Sequence, residues 1–123
     1  MIAVIFEVVP KEGKWVEYLD IAASLRPELS KIEGFISIER FQSMTNKEKV
    51  LSLSFWKDEE SIARWRNVEL HRQAQSRGRA SIFTDYRLRV ANVVRDYGMA
   101  ERKEAPGDSV AVHDKRNTPH ERP

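Results

Sequence analysis

The chain of 123 residues contains no cysteine. Disulfides, zinc–thiolate sites, iron–sulfur clusters and thiol nucleophiles are therefore excluded. Glycine is sparse, with five residues scattered at positions 13, 34, 78, 98 and 107. They form no phosphate-cradling loop, and no GxSxG elbow occurs. Histidine is limited to His71, His113 and His120, and no His-x-x-x-His or Glu-x-x-His pair is present. No metal-binding motif results. Charge of one sign is also lacking, because 21 basic and 19 acidic residues leave a net charge of +2. That balance gives no general attraction to nucleic acid or to an acidic membrane. Long apolar runs are missing too. The longest is Ile2 to Phe6, so no membrane span or signal-type stretch is expected, and a cytoplasmic, soluble protein is the default.

What is present reads as one domain of ordinary apolar content, 41%, and high charged content, 33%. Residues 2–9 are apolar on both parities, which predicts a strand covered on both faces, ended by Pro10. Trp15, Tyr18, Leu19, Ala22, Leu25, Leu29 and Ile32 recur at helical spacing and predict a helix over 14–32. Pro27 falls inside that pattern and predicts a kink or break near Leu25–Arg26, and Gly34 supplies the stop. Residues 35–42 and 49–56 read as an antiparallel hairpin, with Leu51, Leu53 and Phe55 alternating with Ser52 and Ser54. Asp58 has the character of an N-cap, followed by Glu59 and Glu60 in the first turn of a helix that runs to about Ser76. Residues 84–96 form a last strand in which Tyr86, Leu88 and Val90 alternate with Arg87 and Arg89, with a bulge expected at Asn92-Val93.

The order β-α-β-β-α-β predicts an α+β, ferredoxin-like fold: a four-stranded antiparallel sheet with both helices on one face, over residues 1–99. Residues 100–123 hold three of the five prolines and no aromatic residue, and read as a polar C-terminal tail. Two helices cover one face of such a sheet. Strand 1 is apolar on both, so a second copy of the sheet, a homodimer, is the economical cover.

Few residues carry chemistry. His71 is the one histidine outside the tail and, with an unperturbed pKa near 6.5, suits a general base. It follows Trp65 by six residues, about 120° around the helix. Trp56 and Trp65 are candidate walls for an aromatic ligand, against the simpler reading that both are core. Tyr86 is a candidate contact for a substrate oxygen, against simple burial beside Leu88 and Val90. Arg64, Arg66, Arg72, Arg77 and Arg79 make the second helix and its exit basic, which reads more simply as a solvated face paired with Glu59, Glu60 and Glu69. Arg87 and Arg89 point the other way from Tyr86, with Glu7 a plausible counter-ion.

The element order, the GFISIERF segment from Gly34 and the run SFWKDEESIARWRNVELHRQAQ from Ser54 resemble the antibiotic biosynthesis monooxygenase family of the dimeric α/β-barrel superfamily. The resemblance covers roughly residues 1–98. It implies homodimers whose sheets face each other as a barrel, and a pocket in each subunit between sheet and helices. It also implies oxygenation of electron-rich aromatics without metal or organic cofactor. On that pattern the protein oxidises a phenol or quinol with dioxygen. Trp56 and Trp65 wall the pocket, Tyr86 contacts a substrate oxygen and His71 acts as base. The haem-degrading branch of the superfamily carries an Asn on strand 1 and an iron-ligating His ten residues after the Trp. The matching positions here are Phe6 and Gln75, so haem degradation is not expected. RNA binding through an RRM-like sheet is disfavoured, because Glu33 occupies the basic position of that motif and Ser37 a stacking position. The remaining alternative is a non-catalytic, small-molecule-binding or stress-linked homodimer of the same fold.

Overall fold

The structure, a computed structural model, describes residues 1–75 and 82–114, without the side chains of residues 70–75, 113 and 114. It divides into two compact units, Met1–Asn92 and Val93–Pro123. The first contains β1 (Ile2–Pro10), α1 (Trp15–Leu29), β2 (Phe35–Gln42), β3 (Val50–Trp56), α2 (Glu59–Gln75) and β4 (Phe83–Asn92). The strands form one sheet in the order β2-β3-β1-β4, with each neighbouring pair antiparallel. This is the ferredoxin-like arrangement expected from the element order.

Register assigns the two faces. Ile2, Val4, Phe6 and Val8 of β1 stand opposite Trp56, Ser54, Ser52 and Val50 of β3, and opposite Asn92, Val90, Leu88 and Tyr86 of β4. Both helices pack on this face. Tyr18 of α1 joins Val8, Val50 and Ile82 in one buried cluster. Leu29 joins Ile2 and Trp56 in another, with Ile62 and Trp65 of α2 against it. Apolar side chains at three- and four-residue steps thus put Tyr18, Ala22, Leu25 and Leu29 on the buried stripe of α1.

The alternation in β3 runs opposite to that of a sheet with a single core. Ser52 and Ser54 are buried on the helix side, whereas Leu51, Leu53 and Phe55 point to the other face with Ala3, Ile5 and Val9. Phe41 of β2 shares that face. The sheet therefore carries apolar rows on both sides, as β1 suggested.

Three details differ from expectation. Pro27 does not break α1, which continues to Leu29 with the Ser30 N–H donating to the Arg26 carbonyl at 3.1 Å. Only the last turn loses a donor there, and the cost is confined to that turn. The strand irregularities lie at Val9/Pro10 and Phe35/Ser37 rather than at Asn92-Val93, and β4 ends at Asn92. Proline cannot donate to the ladder, and Ile36 is the extra residue on the edge strand.

In the second unit no described residue is buried. Its order comes from Arg102. The guanidinium donates to the Gly98 carbonyl at 3.1 Å and to the Ser109 hydroxyl at 2.8 Å, and lies 5.5 Å from the Tyr97 ring centroid. One helical turn at Gly107–Ser109 continues into a π-type turn at Val110–Asp114.

Candidate functional site

Helices α1 and α2 leave the β4 side of the helix-facing surface open. Tyr86 is 62% exposed, Leu88 52% and Val90 45%, although all three lie on the face that carries the core. The simple burial expected for Tyr86 from its period-two company is not what the structure shows. An aromatic group continues the strip inward. Phe6 lies 5.7 Å from Tyr86 and 6.0 Å from Phe83, and Phe83 lies 5.7 Å from the buried ring of Tyr18, all centroid to centroid. The result is a floor of aromatic edges and faces with one phenol hydroxyl, suited to a flat apolar ring that bears an oxygen.

Trp56 and Trp65 meet at the other end of the sheet. Trp56 is 2% exposed, donates its indole N–H to Ser54 at 2.9 Å and packs edge-on to Phe35 at 5.3 Å. Trp65 is half-buried against the same cluster. Trp56 pairs with Ile2, and Tyr86 with Val8. Six residues of strand separate them, about 20 Å. Trp56 and Tyr86 therefore do not touch one small ring. α2 begins after Trp56, and the chain re-enters the sheet at Phe83 beside Pro10. The helix thus runs the length of β1 and carries position 71 about 9 Å beyond Trp65, toward the Tyr86 end. The His71 side chain lies outside the described residues.

The start of α2 is tied to the start of β2. Asp58 Oδ1 accepts from the Ser61 N–H at 2.8 Å and from the Ser61 hydroxyl at 2.6 Å. The Ser61 hydroxyl, then its N–H, hold the Asp58 carboxyl below the ordinary aspartate value. Arg64 donates to the Glu33 carbonyl at 3.0 Å, and the Lys57 N–H donates to the Gly34 carbonyl at 2.7 Å. Gly34, at φ +92°, lies against the wholly buried Ser61. This knot orients Phe35 and aims α2. Of the other helix-2 arginines, Arg66 is exposed, the Arg72 side chain is not described, and Arg77 and Arg79 lie outside the described residues.

A second concavity, about 470 Å³, lies between α1 and β2, lined by Ala23, Arg26, Pro27, Ser30 and residues 35–38. Sequence reasoning missed it, as it missed Phe83, Leu88 and Val90 as site residues. The clue available for the strip was a row of three apolar side chains on a strand that two helices are too narrow to cover. On the opposite face of the sheet, the expected counter-ion pair is present: Arg89 donates to Glu7 at 3.1 Å, with Lys49 at 3.7 Å. Arg89, with help from Lys49, keeps the Glu7 carboxyl below its ordinary value.

Among the described residues no group of three acidic, histidine or cysteine side chains is placed to hold a metal ion, and no helix is long and apolar enough to cross a membrane. A "Jasmonate monooxygenase ABM" of Pyricularia oryzae is 50% identical over 93 residues, 76% of this chain and 43% of that protein. The chain thus spans less than half the length of this curated relative. Among solved structures, a conserved protein of Methanosarcina mazei superposes with a TM-score of 0.65 at 24% identity, covering 74% of this chain and 90% of the other. The haem degrader MhuD of Mycobacterium tuberculosis, with two haems bound in its active site, gives 0.65 at 19% identity, covering 80% and 100%. Both show the fold. The sequence profile of the antibiotic biosynthesis monooxygenase family matches residues 1–77, and the chain belongs to that family.

Proposed function

We propose that the protein is a cofactor-independent monooxygenase that oxidises a phenol or quinol bound on the Phe6–Tyr86–Leu88 strip. The observation that carries this reading is the exposed Tyr86 hydroxyl on an aromatic floor, in a chain of a monooxygenase family. The substrate ring lies on Phe6 and Leu88, and the Tyr86 hydroxyl donates to its oxygen. Trp65, backed by Trp56, closes the far end. His71, carried to the Tyr86 end by α2, takes the phenolic proton. Contact with Phe6 and Leu88 removes water from one side of the anion, while the Tyr86 hydroxyl stabilises its charge. The phenolate passes an electron to dioxygen, and recombination forms a C–O bond at a ring carbon bearing hydrogen. The resulting hydroperoxide loses water to leave a quinone. One oxygen atom stays on carbon, the other leaves as water, and the substrate supplies all the electrons.

The test is oxygen consumption by chelator-treated protein with anthrones, naphthols and quinols. Turnover rises with pH through the pKa of the base or the substrate. His71→Ala lowers it by about 10²–10⁴, the range for losing a general base. Tyr86→Phe lowers kcat without preventing binding. If the aromatics bind and no oxygen is consumed, the non-catalytic binding protein is the correct description.

One observation favours a second substrate class, namely the relative named for jasmonate. Jasmonate is a ketone-ring carboxylate. Hydroxylation of such a compound consumes two electrons and two protons beyond the substrate, so it is assayed with ascorbate as reductant and without it.

A further inference from the structure

We propose that the groove between α1 and β2, open to solvent along Ala23, Arg26, Pro27 and Ser30, is a second ligand site, which takes a small amphipathic monocarboxylate and is separate from the strip on β4. Its volume of about 470 Å³ falls within the range of about 300–1,000 Å³ usual for small-molecule sites. The cavity has a cause in the sequence. Ala23 and Pro27 are one turn apart on α1, and Ser30 follows on the same side. Small side chains there keep the helix surface back from the sheet. Pro27 has no N–H to return to the Ala23 carbonyl, and its ring pushes on that carbonyl. Opposite, the extra residue Ile36 turns β2, which is the edge strand of the sheet among the described residues.

The lining decides the ligand class. Phe35, Ile36, Ile38, Ala23 and Pro27 supply an apolar body, and Phe35 is braced from behind by Trp56. Arg26 is the one charged residue of the lining, and no carboxylate faces it there. Glu28 projects from α1 about 200° around the axis from Arg26. The Arg26 guanidinium makes no ion pair or hydrogen bond among the described residues. Ser30 donates its hydroxyl proton to the Pro27 carbonyl at 2.9 Å. Further along the same strand and past Ile38, Arg40 carries a buried Nε with no hydrogen-bond partner. A cation would meet like charge here, and a dianion would find a single guanidinium in the lining. A monocarboxylate places its two oxygens on the Arg26 fork and lays its carbon body on Phe35 and Ile38, the strand residues whose partners Trp56 and Ser54 stand on the helix side.

This site stands independently of the monooxygenase reading. It is tested by calorimetric titration of the full chain with octanoate, octanol and octylamine. Octanoate binds about 10-fold or more tighter than octanol, the factor for one charge-assisted contact, and octylamine binds weakest. Arg26→Gln, at an exposed position, keeps the fold and reduces octanoate to the affinity of octanol. Ala23→Trp fills the cavity and removes binding of both. Tyr86→Phe leaves octanoate affinity unchanged, which separates this cavity from the strip. Four results would overturn the proposal: no octanoate binding by the wild type, equal affinity for acid and alcohol, unchanged octanoate affinity in Arg26→Gln, or loss of octanoate binding in Tyr86→Phe.

Discussion

Gly34→Ala tests the knot that aims α2. Gly34 has φ +92°, where a Cβ is disfavoured, and the added methyl would overlap the Ser61 hydroxyl and stand 2.8 Å from the Ser61 Cβ. Ser61 cannot swing away cheaply, because it is wholly buried and its hydroxyl is bonded to Asp58 at 2.6 Å. The backbone conformation costs an alanine about 1–2 kcal/mol, and overpacking adds about 1–3 kcal/mol. Displacing Ser61 also breaks the hydrogen bond from its hydroxyl to Asp58. A total of about 2–5 kcal/mol corresponds to a fall in Tm of roughly 8–30 °C for a domain of this size. Differential scanning calorimetry on the full chain measures it. In the double variant Gly34→Ala with Ser61→Gly, the steric part is relieved and the backbone part remains. The two substitutions are therefore less than additive, with a coupling energy of about 1–3 kcal/mol. A Tm within about 2 °C of wild type for Gly34→Ala, or strict additivity in the cycle, refutes the reasoning. Phe35 would then owe its position to its own packing and not to the glycine.

Asp58 carries an acid dependence. Its carboxyl titrates lower in the folded than in the unfolded chain, through the Ser61 hydroxyl and N–H. Its stabilisation is therefore fully present above about pH 4, the ordinary aspartate range, and is lost as pH falls through the lower folded value. Asp58→Asn should flatten that limb in a pH series of urea midpoints, and an unchanged limb would show the cap to be inert. The apolar face formed by Ile5, Val9, Leu51, Leu53 and Phe55 is proposed to pair with a second copy. Light scattering at micromolar concentration should give twice 14.3 kDa, and Leu53→Asp should lower that mass toward a single chain; a wild type already at the single-chain mass rejects the pairing. Haem should not be degraded, because Phe6, packed between Phe83 and Tyr86, offers no hydrogen bond to it. A histidine-ligated one-to-one haem spectrum, lost in His71→Ala, would reverse that expectation.

Periodicity was enough to locate every strand and both helices of the first unit, because burial on a 3.6-residue or two-residue repeat leaves its mark on each segment separately. Asp58 was legible as a cap from its place before two glutamates, and Glu7 as the partner of an arginine from strand alternation alone. Three things were not local. Period two in β3 says that serines and leucines face opposite ways, but not that the serines face the helices. That depends on register with β1 and on which side the crossovers lie. The exposure of Tyr86 depends on how far two helices reach across four strands, a matter of widths and crossing positions. The distance between Trp56 and Tyr86 is set by antiparallel pairing to opposite ends of β1, so two aromatics that resembled one pocket lie about 20 Å apart. Local chemistry is written residue by residue in the chain. Which residues share a face, and which ends meet, is decided only when the strands take their register.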